Sequence, residues 1–400
     1  MIINEKLEQE NLTCCGCTAC YAICPKGAIT MQEDSEGFKY PAIDKSKCID
    51  CGLCCKVCPL DKKLENVIAP AASFACTAKD GNFAKQSSSG GVFPLLANMF
   101  AEQQAVIYGA AFDNNWMVKH IRVNDIDELK KLYTSKYVQS DMGDSFKQVK
   151  HDLDTGKEVL FAGTPCQVAG LKSYLSKEYN NLTTVDFICH GVPSPSVWQS
   201  YIKEKAVNLN SKIIDISFRN KKDGWKNFGF MFKTRDGKEI YERANDNIYM
   251  QGFLKNLYLR PSCYNCKFKT LSRASDITLA DFWGVEKVLP EMETAKGGSL
   301  CWASSENGKN ILSKILRQTV WRQVELKKAI KRNLSAVKSA GMHKNRDKFF
   351  KAFEEENNNI ISLIENFYNK DKLRKKIIKR IKNHLDYLKK LNILNRTGEL

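Results

Sequence analysis

Two stretches near the front of the chain decide how it is built. They are Cys14-Cys15-Gly16-Cys17-Thr18-Ala19-Cys20-Tyr21-Ala22-Ile23-Cys24-Pro25 and Cys48-Ile49-Asp50-Cys51-Gly52-Leu53-Cys54-Cys55-Lys56-Val57-Cys58-Pro59. Both space their cysteines as C-x2-C-x2-C-x3-C-P, the ligand run of [4Fe–4S] cubanes. Three thiolates on one tight loop reach three iron corners, and the fourth must come from elsewhere. In two-cluster proteins the last cysteine of each run serves the other cluster. The expected sets are therefore Cys14, Cys17, Cys20 and Cys58 for one cluster, and Cys48, Cys51, Cys54 and Cys24 for the other. The exchange would tie together a segment too short to bury a large apolar core.

Other uses of these cysteines fit poorly. Zinc sites usually pair two CxxC units across a longer spacer. Disulfide frameworks belong to small secreted domains, whereas this chain has 400 residues and a polar, acidic start. Sixteen cysteines without a secretion signal suggest a reducing cytoplasm and metal ligation. No run of eighteen apolar residues argues for a membrane span. The net charge is +17, yet residues 1–70 carry eight Lys/Arg against ten Asp/Glu. No helix-turn-helix, zinc-finger or RNA-binding pattern accompanies the charge, so no nucleic acid is expected. A basic face that docks an acidic electron carrier or an anionic substrate accounts for it more simply.

From Ala71 the pattern alternates strand-like and helix-like segments. Strands are expected at Ser73–Ala78, Val106–Phe112, Glu158–Ala162 and Val185–Cys189. Helices are expected after Gly91, over Ile126–Leu132, from Pro165 to about Ser176, and after Pro195. Phe228–Lys233 and Glu239–Glu242 flank Arg235-Asp236-Gly237, a hairpin signal. Four more cysteines stand at loops: Cys166 at a strand-to-helix turn, Cys189 at a strand end, and Cys263 with Cys266 as a CxxC. Loops after strand ends gather on one side of an α/β sheet, where four thiolates would make a third [4Fe–4S] site. The alternatives are a low-pKa nucleophile at Cys166, a redox dithiol or half a zinc site at Cys263/Cys266, and a core thiol at Cys189. Cys15, Cys55, Cys76 and Cys301 are left as structural. Ser87-Ser88-Ser89-Gly90-Gly91 at a helix start could cradle a phosphate. No GxGxxG follows a strand, which leaves a Rossmann dinucleotide site unsupported.

Over roughly Ala71–Leu316 the chain resembles the family of beta subunits of coenzyme F420 hydrogenases and dehydrogenases. The resemblance is carried by Ser87–Gly91, Ser135-Lys136-Tyr137-Val138-Gln139-Ser140, Gly163–Gln167, Cys189–Pro193, Ser217-Phe218-Arg219, Arg260–Cys266 and Ser275–Gly284. It implies a flavin, FAD or FMN, and a cluster beside it. The matching flavin positions are Ser88, Ser89, Gly90, Gly91, Lys136, Tyr137, Gln139, Ser140 and Thr164, with Asp276 and Asp281 weaker. His190 is the candidate proton donor. Lys136 and Arg260 are candidates to neutralise a flavin phosphate or an anionic substrate. The expected class is α+β: a bacterial two-cluster ferredoxin module (1–70), a mixed α/β flavoprotein domain in two segments (71–155 and 156–340) and a basic helical tail (341–400).

The expected function is that of an iron–sulfur flavin oxidoreductase carrying electrons between ferredoxin-type donors and an organic substrate. A non-catalytic electron-transfer subunit of a partner enzyme and an F420-dependent oxidoreductase are the alternatives. In the tail, Leu373, Ile377, Ile381, Leu385 and Leu388 form one apolar stripe on a segment with ten Lys/Arg and three Asp/Glu between Asp371 and Leu400. Such a helix could cover the core, dock a partner or lie on an anionic membrane surface.

Overall fold

The computed structural model describes residues 3–10, 13–60, 62, 72–355 and 359–367. Most of the tail, including the stripe from Leu373 to Leu388, lies outside the described residues. Among the described residues the strands are, in chain order, β1 (Ile29–Glu33), β2 (Lys39–Ile43), β3 (Ser73–Ala78), β4 (Val106–Phe112), β5 (Val118–Val123), β6 (Val159–Ala162), β7 (Leu182–Phe187), β8 (Ile213–Asn220), β9 (Gly229–Thr234), β10 (Glu239–Arg243), β11 (Ile277–Asp281), β12 (Ser299–Ala303) and β13 (Thr319–Val324).

β1 and β2 form the hairpin of the N-terminal ferredoxin-like module. β8, β9 and β10 make a small antiparallel sheet. The remaining strands form one mixed sheet in the order β13-β3-β12-β11-β7-β6-β4-β5. The pairs β4/β6, β6/β7 and β7/β11 are parallel. This sheet draws strands from both sides of position 155, so the segments 71–155 and 156–340 share one core. β7 ends before Cys189 rather than including it: Ile188 donates its N–H to Leu279 O, and the next residue leaves the sheet. Ile126–Leu132 is 3₁₀ rather than α, capped by Asp125, whose side chain accepts from Asp127 N.

One face of the large sheet packs against the helices Val92–Ala101 and Glu306–Arg317. The other packs against the helices Ser145–Asp154 and Pro165–Leu175, and there the module joins the core. Cys15, Cys17, Ala19, Cys20, Ile29, Val57 and Leu60 share an apolar cluster with Phe146, Phe161, Val168 and Leu171. A third core surrounds the small sheet, where Trp198, Phe218, Tyr249 and Tyr258 meet Phe349, Phe350 and Phe353 of the helix Arg346–Glu355. The first turns of the expected tail thus complete a core. Among the described residues no helix is long and apolar enough to cross a membrane.

Candidate metal centres

The two cysteine runs adopt the same backbone path. Positive φ recurs at the third and fifth positions of each, at Gly16 and Thr18 in the first and at Asp50 and Gly52 in the second. Alternating left-handed residues curl a loop and turn its N–H groups inward. Accordingly Gly16 N donates to Cys14 Sγ at 3.3 Å, and Ala28 N donates to Cys24 Sγ at 3.3 Å. A short helix follows each loop, Ala19–Ile23 and Leu53–Lys56. One cavity is lined by Cys14, Cys17, Cys20 and Cys58 together with Pro59. A second is lined by Cys24, Cys48, Cys51 and Cys54 together with Pro25. Each run therefore lends its last cysteine to the other's cavity. Among the described residues no three Cys, His, Asp or Glu side chains gather closely enough to share a single ion. The thiols instead ring spaces, an arrangement suited to a polynuclear cluster.

A third cavity lies where the parallel strands end. Cys166 occupies the first turn of the helix Pro165–Leu175 after β6, and Cys189 follows β7. β6 and β7 are parallel neighbours, so these loops emerge side by side. Cys263 and Cys266 reach the same cavity from the 3₁₀ turn Pro261–Asn265 and the residue after it. An all-thiol donor set is soft and suits an iron–sulfur cluster. The cavity wall also carries the cations Lys269 and Arg273. Burial pushes the Cys189 thiol up to about 12. Contact with the Cys15 thiol, followed by burial, raises Cys166 well above the usual range, the opposite of what an activated nucleophile needs. His190 lines the cavity, but both ring nitrogens are engaged, Nε2 with Asn256 Oδ1 at 2.6 Å and Nδ1 with Ser335 Oγ at 3.4 Å.

Cys15 is the residue whose place the spacing did not reveal. It lines both the first and the third cavity. Its thiol contacts Cys17 on one side and Cys166 on the other. A clamp holds it there. Arg260, 1% exposed, donates from Nε to Cys14 O (2.8 Å), from Nη1 to Gln139 Oε1 (3.0 Å) and from Nη2 to Lys39 O (2.9 Å). Gln139 Nε2 in turn donates to Cys15 O at 3.3 Å. A Cβ at position 16 would stand 2.8 Å from Gln139 Nε2 and 2.9 Å from Arg260, so at its φ of 73° glycine fits beneath the clamp without displacing it. Arg260 thus spends these donors on docking the module rather than on a phosphate. Signals for this clamp were absent from the local sequence.

The expected flavin residues divide into two groups. Gln139 belongs to the clamp. Ser140 Oγ bonds His120 Nδ1 and Gln167 Nε2, and Thr164 forms a capping box with Gln167. Around Ser88 a second, cationic group collects. Ser88 Oγ accepts from Ser135 N at 2.7 Å, and Ser88 O accepts from Arg219 at 2.8 Å. Arg219 also bonds Tyr137 Oη and pairs with Asp281 at 2.9 Å, while its buried Nε has no partner among the described residues. Lys221 Nζ donates to the carbonyls of Ala84, Ser89 and Lys296. Lys136 Nζ donates to the carbonyls of Tyr133 and Thr134.

Burial lowers Lys136 to about 7, and burial together with Arg219 lowers Lys221 to about 7. These cations lean on carbonyls rather than on carboxylates. Gly90 is explained by packing, since a Cβ there would lie 2.4 Å from Cys76 O. Ser89 Oγ donates to Gly298 O, and Gly91 caps the helix Val92–Ala101. Asp276 accepts from Thr184 N, Thr184 Oγ1 and Ser305 Oγ, a structural role.

Parts of the chain are similar to known proteins. Residues 156–329 match the family described as the C terminus of the coenzyme F420 hydrogenase/dehydrogenase beta subunit, and residues 13–62 match the 4Fe-4S dicluster domain. An uncharacterized ferredoxin of Methanocaldococcus jannaschii is 40% identical over 57 residues, 14% of this chain and 73% of that protein. A subunit of the F(420)H(2) dehydrogenase of Methanosarcina mazei is 23% identical over 164 residues, 38% of this chain and 46% of that protein, so the chain spans less than half of that relative. A chain of the F420-reducing [NiFe] hydrogenase complex from Methanosarcina barkeri aligns with a TM-score of 0.44 at 17% identity, over 72% of this chain and 93% of that one. Residues 156–329 thus carry the match to the coenzyme F420 hydrogenase/dehydrogenase beta-subunit family, behind a 4Fe–4S dicluster match at residues 13–62.

Proposed function

We propose that the protein is an iron–sulfur flavoprotein that relays electrons from an external one-electron carrier, through three [4Fe–4S] sites, to a flavin and on to an organic acceptor. The placement of Cys15 carries this reading. Cys51 is exposed, the first cavity is largely buried, and Cys15 stands in the wall shared by the first and third cavities. The first and third cysteine-lined cavities therefore share a wall, and the second stands at the exposed end of the same module. The ligands would be the eight cysteines of the module, then Cys166, Cys189, Cys263 and Cys266. Backbone N–H groups directed at Cys14 and Cys24, and Lys269 and Arg273 at the third cavity, would offset the negative charge of thiolate-bound iron. The flavin would be held at Ser88, Ser89, Lys136 and Tyr137, with Arg219 and Lys221 added, because the two ammoniums lean only on carbonyls and Arg219 Nε has no partner among the described residues, which suits an anion such as a phosphate. When bound, a flavin exchanges single electrons for pairs.

A second reading, an electron-transfer subunit that wires a partner enzyme, is favoured by the Methanosarcina mazei relative, which is itself named as a subunit. Steady turnover of a small-molecule acceptor by the isolated chain would exclude it.

Two measurements test the cofactor content. An anaerobic iron, sulfide and flavin count is expected to give about twelve irons and one flavin per chain. Eight irons would remove the third site and leave the module. Flavin affinity, read by fluorescence quenching, is expected to weaken about tenfold or more as pH rises from about 6 to about 8. The sign follows from the lysines: in the folded protein Lys136 and Lys221 carry charge only below about 7, and a phosphate binds the charged form. Lys136→Gln should flatten the profile. An affinity indifferent to pH would place the phosphate elsewhere.

A further inference from the structure

The module's described acids include the exposed Glu5, Glu8 and Glu10 at its first helix, the acids of its hairpin, and Asp44 and Asp50. Its hairpin acids face the large domain: Glu36 pairs with Arg346, Glu33 accepts from Ser196 Oγ, and Asp34 caps its own turn by accepting from Glu36 N and Phe38 N. The opposite end carries the second cavity, where Lys26, Lys45, Lys47 and Lys56 are all exposed. Asp44 and Lys47 pair at 3.0 Å and offset each other, Asp44 also accepts from Ser46, and Asp50 is a further acid lining the cavity. In the middle stands Ile49, 57% exposed, between the candidate ligands Cys48 and Cys51, and Cys51 is itself exposed. Ile49, Asp50 and Lys26 line the same cavity as Cys24, Cys48, Cys51 and Cys54. An apolar centre within a lysine rim, directly over a redox site, has the anatomy of a transient docking patch.

We propose that the face around Ile49 and Cys51 is the docking surface for a small acidic iron–sulfur carrier protein, which delivers one electron at a time to the cluster held by Cys24, Cys48, Cys51 and Cys54. This rests on the cluster reading above and assigns its partner and its contact residues. The electron leaves the carrier's reduced cluster and reduces the docked one, so the carrier is the reductant. Ile49 excludes water at the contact, and Lys26, Lys45 and Lys56 orient the approach. The first cavity is not reachable in this way, because Cys17, Cys20 and Cys58 are buried.

The test is stopped-flow reduction of the full-length holoprotein by a reduced acidic two-cluster ferredoxin, with wild type, Ile49→Glu and Lys45→Glu/Lys56→Glu compared. The wild-type second-order rate constant is expected to fall about tenfold between low and high salt. The double lysine variant should be about tenfold slower at low salt and should lose most of the salt dependence. Ile49→Glu should slow the reaction comparably. Iron content and the number of clusters reduced by excess chemical reductant should not change in either variant. Wild-type rates that ignore salt, variants that react like wild type, or faster reduction by a basic carrier would each overturn the proposal. So would concentration-dependent self-association abolished by Ile49→Glu, which would assign the patch to a second copy of the chain. If the wild-type protein lacks the module's iron, the cluster reading itself fails, and the iron count distinguishes that outcome from failed docking.

Discussion

Cys166→Ala is expected to lower the iron content from about twelve to about eight per chain and to abolish reduction of the bound flavin by the module. The module's two clusters should keep their spectra. The fold should survive, because the helix cap at this point belongs to Thr164 and Gln167, which the substitution leaves in place. Alanine is also at least as favourable as cysteine inside a helix. Cys15 complicates the single variant in an informative way. Its thiol touches that of Cys166, close enough to take the vacated iron corner. Cys15→Ala/Cys166→Ala removes that substitute, so the double variant should reach eight irons even if the single one stays nearer twelve. Twelve irons in the double variant, counted with acid-labile sulfide, would place the third cluster at other residues.

The second large effect is expected at Arg260. Arg260→Met keeps the length of the side chain and removes its donors. Cys14 O, Lys39 O and Gln139 Oε1 each lose a hydrogen bond, and the guanidinium, 4.2 Å from the Tyr40 ring, is lost with them. Leaving a fully buried acceptor unsatisfied costs about 1–3 kcal/mol, and these three are half-buried. A loss of about 2–4 kcal/mol is therefore expected, since water can partly satisfy half-buried acceptors. It should appear as earlier loss of the module's visible absorbance in urea, ahead of the far-ultraviolet signal of the large sheet. Arg260→Lys should recover only part, since an ammonium cannot reproduce the fork. Coincident transitions in wild type and Arg260→Met would show that the clamp contributes little.

The sequence was most legible where chemistry is local. The spacing of each cysteine run constrains its own loop, and the crosswise sets drawn from that spacing are the sets that line the first two cavities. The strand Ser73–Ala78 and the helix opened by Thr164-Pro165 appear where turn and cap residues put them. What escaped was long-range. β3 lies between β12 and β13, more than 200 residues away along the chain, and no local pattern encodes that pairing. Arg260 reaches Cys14 across 246 positions. Cys15 looked like a bystander because ligand spacing says nothing about which wall a neighbouring side chain completes. Lys221 carries no motif; it became visible only once folding placed its amine beside Ser89 O. The Ser-Gly run did mark a tight approach, but its backbone and hydroxyls are largely spent within the protein.

The clamp also decides what kind of machine the proposed relay can be. Many modular redox proteins shuttle a tethered domain between a loading and an unloading position, and their turnover follows the swing of the tether. Here the guanidinium fork at the module's first loop, the Lys39–Asp141 and Arg346–Glu36 pairs at its hairpin and the Ser173 bond to Val57 O anchor the module from several directions. It is bolted, not hinged. Spacing between successive centres is then a fixed property of the fold, and viscosity should slow only the arrival of the outside carrier, never the passage of charge within.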